Sequence, residues 1–135
     1  MKRMLFLLTA LTAASVQYIY SFHIEPDGSL SDRQPFFAMV IPDGKTDSGA
    51  DGMTVDTQGR LYVTTHMGLQ VCDQAGRVLA IIPKPTREWL SNAVFGGPAR
   101  DELYVTVGTK VFKRKTRAKG VFSFEAPVLP PTPRL

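Results

Sequence analysis

The sequence predicts an all-β protein built from repeated sheets of short strands. Eleven glycines and ten prolines divide the 135 residues too often for long helices. The tetrapeptide Leu-Tyr-Val-Thr at residues 61–64 recurs at residues 103–106, with similar neighbours on both sides. No segment has a convincing helical pattern. A period of about 40 residues with several short strands in each unit is typical of a β-propeller blade.

The first repeat reads as four strands separated by turns. Met53–Asp56 is short and apolar, which predicts an innermost strand that is buried on both faces. Leu61–Thr65 alternates apolar and polar residues, which predicts a half-buried strand. The rest of this repeat comprises a turn at Thr57–Arg60, a strand at Leu69–Asp73, a turn at Gln74–Gly76 and an outer strand at Arg77–Ile82.

Two further units flank this repeat, and neither is complete. The sequence therefore predicts a partial β-propeller of about two to three four-stranded blades. An incomplete set of blades leaves sheet edges and faces open, so self-association through the open blade edges is expected. The following unit has strands at Ala93–Phe95, Glu102–Thr106 and Lys110–Arg114; the preceding one has strands at Gln17–His23 and Gln34–Ile41, with a turn at Glu25–Gly28.

The chain divides into three parts, of which the first has two interpretations. Residues 1–16 form either a signal-like segment, with a basic start and a short apolar stretch, or a remnant strand at Leu5–Thr9. A signal peptide would place the protein in the periplasm or outside the cell, and a strand would leave it cytoplasmic. The stretch is too short to span a bilayer, and no membrane partner is expected. Residues 17–125 hold the blades, and residues 126–135 form a proline-rich tail that we expect to be loosely attached.

The basic charge of the chain is concentrated in one stretch. The net charge is +4, and Lys110–Lys119 contains six of the sixteen lysines and arginines. A basic stretch can bind nucleic acid, but here it coincides with a predicted edge strand, where lysines discourage the addition of another strand. We therefore interpret it as a solvated edge and expect no nucleic-acid partner. The single Cys72 excludes an intrachain disulfide and a cysteine-based metal site.

Three segments carry a resemblance to a known family. They read "YIYSFHIEPDGSLSDRQPFF", "GADGMTVDTQGRLYVTTHMGLQVCDQAGRVLAIIPKP" and "SNAVFGGPARDELYVTVGTKVFKRKTRAKG". Together they resemble the C-terminal part of the gluconolactonase / senescence-marker-protein / luciferin-regenerating-enzyme-like family, which includes regucalcin. The resemblance covers roughly residues 17–120. It implies that the predicted blades belong to a six-bladed ring.

The resemblance also implies a cation and a reaction. Members of the family hold one divalent cation at the top of the central channel and hydrolyse lactones. Of the family's cation ligands, a glutamate, two asparagines and the aspartate of the Asp-Gly-Met motif, only the last has a counterpart here, Asp51. The chain is therefore expected to carry an incomplete site for Ca²⁺, Zn²⁺, Mn²⁺ or Mg²⁺, with Asp51 as metal ligand and catalytic group. Asp-Gly is also a common turn dipeptide, so a turn role for Asp51 is the alternative.

Three other polar residues have a candidate functional role, a structural role, or both. His66 follows the second strand of its repeat and is a candidate catalytic residue lining the channel, or else a solvated loop histidine. Asn92 enters the next inner strand and is a candidate substrate-binding residue, or else caps a turn. Asp56 precedes a glycine turn and is interpreted as structural.

The resulting hypothesis is a gluconolactonase-like, divalent-cation-dependent lactone (carboxylic ester) hydrolase, in a truncated form that is weakly active or inactive, acting on a small lactone. The alternative is a non-enzymatic split propeller that serves as a binding or assembly module. A related propeller, of the strictosidine-synthase-like or NHL-repeat type, is the third interpretation. The sequence leaves open whether the chain is itself an enzyme, which lactone it takes and which cation it uses.

Overall fold

The structure is a computed structural model that describes residues 3–8, 17–122 and 124–125, the first of these ranges by its backbone alone. These ranges contain ten strands and no helix, so the all-β prediction is confirmed. Accordingly, none of the described segments is a helix long and apolar enough to cross a membrane. The predicted tail at residues 126–135 lies outside the described residues.

The ten strands form three antiparallel sheets that follow one another along the chain. The second sheet has four strands, and the first and third have three each among the described residues. The first sheet contains β1 (Arg3–Leu8), β2 (Gln17–Ile24) and β3 (Leu30–Met39); the second contains β4 (Met53–Val55), β5 (Leu61–Thr65), β6 (Gly68–Cys72) and β7 (Val78–Ile82); the third contains β8 (Leu90–Gly96), β9 (Glu102–Val107) and β10 (Lys110–Lys115).

The first described residues form β1, which overlaps the remnant strand expected at Leu5–Thr9 and pairs along its length with β2. Removal of residues 1–16 as a signal stays a prediction. The strand expected at Gln34–Ile41 begins earlier, at Leu30, because β3 pairs with β2 from Ile24 onward across two irregularities in the register.

The repeated tetrapeptide occupies equivalent places in neighbouring sheets. Leu61 is the first residue of β5, and Leu103 lies in β9. Each of these strands is the second of its sheet in chain order. Leu61 packs in the cluster shared with the first sheet, and Leu103 packs in the cluster shared with the second. Each leucine therefore faces the preceding sheet, which is how stacked blades of a repeat protein bury their apolar faces.

Two apolar clusters join the three sheets, and β5 contributes to both. Successive side chains of a strand point to opposite faces, so Leu61 and Val63 face one way and Tyr62 the other. The cluster between the first and second sheets contains Ile19, Phe37, Met39, Leu61, Val63 and Cys72, and the cluster between the second and third contains Tyr62, Leu69, Val71, Ala93, Phe95 and Leu103.

The burial of two strands differs from the prediction. All five residues of β5 are buried, whereas Leu61–Thr65 was expected to be half-buried. The three residues of β4 are only partly buried, whereas Met53–Asp56 was expected to be buried on both faces. The physical reason is position: β5 lies between β4 and β6 with a sheet packed on each face, while β4 is an edge strand of its sheet.

Polar side chains also join the first and second sheets. The amide of the fully buried Gln70 accepts a hydrogen bond from Val40 N at 2.9 Å and donates one to Val40 O at 2.7 Å. Gln17 Oε1 accepts from Ser48 N at 2.9 Å. Because these amides are paired, their burial avoids the cost of an unsatisfied polar group.

The segment after β10 returns to the second sheet. Gly120 forms an antiparallel bridge with Asp56, and Thr57 N donates to Lys119 O at 2.7 Å. A Cβ atom at Gly120 would lie 2.2 Å from Phe95 Cβ, so the close approach requires glycine. This segment ties the third sheet to the far end of β4, opposite the end that Asp51 precedes.

Candidate functional site

The site lies where β4 begins, β5 ends and β8 begins. Thr64, near the end of β5, joins these parts: its backbone N donates to Gly52 O at 2.9 Å, and its hydroxyl lies 3.1 Å from Gly52 O and 3.2 Å from Ser91 O. Gly52 N donates in turn to Ser91 O at 2.8 Å. The loops that carry the predicted site residues are therefore held together by a buried hydrogen-bond network.

Asp51 is exposed and lies two residues before the start of β4. Its backbone N donates to Thr64 O at 3.2 Å, which fixes the main chain. One carboxylate oxygen, Oδ2, accepts a hydrogen bond from Trp89 Nε1 at 3.2 Å. The other oxygen, Oδ1, has no hydrogen-bond partner among the residues that the structure describes, so it is available to a ligand.

His66 is anchored rather than freely solvated. Its Nε2 lies 3.0 Å from Asp47 Oδ1, and its backbone N donates to Ser48 O at 2.8 Å. Gly49 packs on the face of the ring, since a Cβ atom there would lie 2.7 Å from three ring atoms. Within the described residues Nδ1 has no partner. A histidine held by a carboxylate at one nitrogen and open at the other can accept a proton at the open nitrogen.

Asn92 lies beside Gly52, the residue after Asp51, and its side chain is hydrogen-bonded to the backbone of the residue that follows it. Its Oδ1 accepts from Ala93 N at 2.8 Å. Asn92 lies inside β8, opposite Thr106, so substrate binding and turn capping both stay predictions. A Cβ atom on Gly52 would lie 2.2 Å from Asn92 Oδ1, so glycine is required for the two loops to meet. Asn92 is exposed, and its amide nitrogen can still reach a ligand.

Two residues of this site were not predicted from the sequence. Asp47 orients His66 and also accepts from Gly49 N at 2.8 Å. Trp89 donates a hydrogen bond to Asp51 and packs against His66, with ring centroids 5.3 Å apart and an interplanar angle of 78°. The only signals were the Asp-Ser-Gly turn before Asp51 and the isolated tryptophan.

Asp56 has the structural role expected of it. It is fully buried, and its Oδ1 accepts from the backbone N atoms of Gln58 at 2.9 Å and Arg60 at 3.0 Å. Its Oδ2 accepts from Arg60 Nε at 2.6 Å and from the Tyr62 hydroxyl at 2.9 Å. Burial, together with the Asp56 carboxylate, raises the pKa of Tyr62 to about 12.

The basic stretch pairs with acids of its own sheet. Lys115 Nζ lies 2.7 Å from Asp101 Oδ1, and Lys113 Nζ lies 3.4 Å from Glu102 Oε1. The Lys115 hydrogen bond holds the pKa of Asp101 below its usual value. The described part of β10 has a single neighbour, β9, which agrees with a solvated edge strand. Binding of nucleic acid is not tested by this geometry.

A divalent cation needs more donors than these residues supply. Within the described ranges, no group of three or more His, Cys, Asp or Glu side chains could hold a metal ion. Asp51 offers one carboxylate, whereas Ca²⁺ takes about six to eight oxygen ligands. The described residues therefore do not by themselves fit the cation that the resemblance implies, and Asp51 can be only one donor of several.

The family model described as the SMP-30/Gluconolactonase/LRE-like region matches residues 6–109. The chain belongs to this family. The predicted resemblance is thereby confirmed. The matched range includes all the residues of the site described above: Asp47, Asp51, His66, Trp89 and Asn92.

Two curated relatives of this SMP-30/gluconolactonase/LRE-like chain are similar over part of their length. Regucalcin of Danio rerio is 33% identical over 82 residues, which cover 58% of this chain and 26% of regucalcin. Pentonolactonase XacC of Haloferax volcanii is 35% identical over 97 residues, which cover 70% of this chain and 31% of that protein. The chain thus spans about a quarter to a third of the relatives it matches.

Solved structures of the family share the fold. A gluconolactonase from Xanthomonas campestris matches with a TM-score of 0.61 at 30% identity, covering 82% of this chain and 33% of that one. A luciferin-regenerating enzyme matches with a TM-score of 0.62 at 22% identity, covering 77% of this chain and 40% of that one, and shows the fold alone. The propeller-type fold is therefore confirmed, and the number of blades stays a prediction.

Proposed function

We propose that this chain is a sector of a divalent-cation-dependent lactonase that hydrolyses the ester bond of a small sugar-acid lactone. Family membership supports a lactonase, and two similar proteins are named for gluconolactone and pentonolactone hydrolysis. The observation that carries the proposal is the exposed Asp51 carboxylate at the entrance to β4, beside an anchored histidine. The described residues supply one donor to the cation, so the remaining donors would come from outside them, and the chain alone would be weakly active or inactive.

The chain's own residues can bind the lactone and move a proton. In this proposal His66 Nδ1 accepts a proton from water as the water oxygen bonds to the lactone carbonyl carbon. When the ring C–O bond breaks, the same proton passes to the leaving alkoxide oxygen, so atoms and charge balance. In this proposal the Asp47 carboxylate accepts from His66 Nε2–H, which leaves Nδ1 as the proton acceptor. Asn92 can donate from its amide nitrogen to a ring hydroxyl.

A second candidate function is a non-enzymatic binding or assembly module. The observation that favours it is the incomplete donor set around Asp51, together with apolar side chains exposed on the third sheet. Val94 is 56% exposed and Val111 is 66% exposed. Such side chains are suited to contact with another sheet.

The decisive test is hydrolysis of glucono-δ-lactone and a pentonolactone, with Ca²⁺, Zn²⁺, Mn²⁺ or Mg²⁺ and with a chelator. Where weak turnover is detected, we expect it to require a cation and to fall in Asp51→Asn to the level measured with the chelator. Asp43→Asn, which changes an exposed loop aspartate of the same charge, is the matched control and should keep the wild-type rate. Turnover that survives Asp51→Asn would contradict the role of Asp51. No turnover with any cation would favour the binding module.

A further inference from the structure

Trp89 is an unusual residue for a blade boundary, because its main chain and its indole N–H are both hydrogen-bonded and yet it remains 46% exposed. Its carbonyl oxygen accepts from Gly108 N at 2.8 Å, and the next residue, Leu90, is only 3% exposed. Tryptophan is usually among the more buried residue types. A large flat ring that is fixed from the main chain and left open to solvent is a surface suited to a ligand.

The neighbours of this ring are the polar groups of the proposed lactone site. Its indole N–H donates to Asp51 Oδ2 at 3.2 Å, which leaves Oδ1 open to a ligand. Its ring meets that of His66, with centroids 5.3 Å apart. Trp89 thus lies between the two residues that the proposed function uses, and it reaches Asp51 across 38 positions of sequence.

We infer that Trp89 is a specificity-determining residue that forms one wall of the binding site, against which the ring of a cyclic sugar derivative lies. The face of an indole carries partial negative charge and attracts the C–H groups of a ring. An open-chain polyol carries similar hydroxyl groups but has no ring whose C–H groups can lie together on the indole face. The inference rests on the proposed function for the identity of the ligand class, and it adds that Trp89 selects the closed ring and positions Asp51.

The test uses the fact that Trp89 is the one tryptophan in the chain. Wild-type protein is titrated with glucono-δ-lactam, a cyclic analogue that is not an ester, and with sorbitol as the open-chain match. Buffers contain a chelator or one of the four cations. We expect a saturable change in tryptophan emission with the lactam in at least one buffer, at concentrations at which sorbitol gives none. Equal responses to both compounds, or no saturable response in any buffer, would overturn the inference.

Variants separate ring packing from the hydrogen bond and from a structural role. Calorimetry should show that Trp89→Leu weakens lactam binding about tenfold and removes the preference over sorbitol. Trp89→Phe, which keeps an aromatic face and loses the N–H, should retain most of that preference. Phe122→Leu, at an aromatic residue that is 49% exposed outside the site, is the matched control and should bind like the wild type. Unchanged lactam affinity in Trp89→Leu would refute the inference.

The same experiment distinguishes failure of the inference from failure of the proposed function. If the lactam binds at Trp89 but no lactone is hydrolysed with any cation, the role of Trp89 in binding the closed ring is supported and the lactonase proposal fails. If lactones are hydrolysed with an unchanged KM in Trp89→Leu, the lactonase proposal is supported and the role of Trp89 in binding the closed ring is refuted.

Discussion

Tyr62 and Cys72 are buried ionisable residues that the folded chain keeps neutral. Burial and the hydrogen bond to Asp56 raise the pKa of Tyr62 to about 12, and burial raises the pKa of Cys72 to about 12. In an unfolded chain the thiol loses its proton near pH 8.5 and the phenol near pH 10, at about their ordinary values. Between those values and about pH 12 the unfolded state therefore binds fewer protons than the folded state.

We expect the free energy of unfolding to fall as the pH rises from about 8.5 towards 12, because stability decreases with pH wherever the folded state holds more protons. The contribution of each group is fully present below its unfolded pKa and is lost at a rate on the order of 1 kcal/mol per pH unit between that value and the folded pKa of about 12. Urea unfolding followed across this range measures the slope. Cys72→Ala should flatten it from about pH 8.5, and Tyr62→Phe should flatten it only above about pH 10. A slope unchanged in both variants would contradict this account.

At the residue scale, the sequence predicts the place of the site better than its contacts. Asp51, His66 and Asn92 are predicted to lie at one end of the blades, and hydrogen bonds among Gly52, Thr64 and Ser91 join the segments that carry them. The partners are not predictable in the same way. Asp47 meets His66 across 19 positions and Trp89 meets Asp51 across 38, and such contacts depend on how loops of different sheets fold over one another.

One turn occurs twice in the second sheet with the same hydrogen bonds. It has the sequence Asp-x-x-Gly-Arg and begins at Asp56 and again at Asp73. In each turn Oδ1 accepts from the backbone N atoms two and four residues later, and Oδ2 accepts from the arginine. The difference is burial: the Asp56 side chain is 0% exposed and also accepts from Tyr62, whereas the Asp73 side chain is 20% exposed.

This pair makes a controlled comparison of a buried and an exposed turn. We expect Asp56→Asn to lower the free energy of unfolding by about 2 kcal/mol or more, because a buried charged acceptor of four hydrogen bonds is replaced by a neutral amide that leaves donors poorly paired. Asp73→Asn changes the same turn with the same chemistry in contact with water, and its effect should be much smaller. Thermal and urea unfolding of both variants measure the difference. Equal losses would show that the turn, and not the burial, decides the cost.

At the element scale, strand positions are predictable here and strand burial is not. Alternation of apolar and polar residues, turn glycines and the repeat predict the central residues of nearly every strand, because these signals are local to the chain. Whether a strand is covered on one face or two depends on what stacks on it. The polar Thr64 and Thr65 in β5 made the strand read as half-exposed, although a neighbouring sheet covers each face and both threonines are hydrogen-bonded.

For the whole molecule, the repeat implies a neighbour for the third sheet that the described residues do not supply. Tyr62 and Tyr104 are equivalent in the two repeats, and Tyr62 packs in the cluster that joins the second sheet to the third. The register of the third sheet places Val94, Tyr104 and Val111 on the face away from the second sheet. Val94 and Val111 are there 56% and 66% exposed, the two highest values among the large apolar strand residues whose side chains the structure describes.

We expect the chain, studied by itself, to self-associate through this face of the third sheet. Burying the exposed valines against a second sheet removes apolar surface from water, which favours association. Sedimentation velocity over a series of protein concentrations measures it. The double substitution Val94→Lys and Val111→Lys should weaken association about tenfold or more, because it places charges in the contact. Leu30→Lys, at a leucine that is 44% exposed on the first sheet, is the matched control and should associate like the wild type. A wild-type chain that stays monomeric at all concentrations would contradict self-association, and an equal effect of both changes would show that association does not use this face.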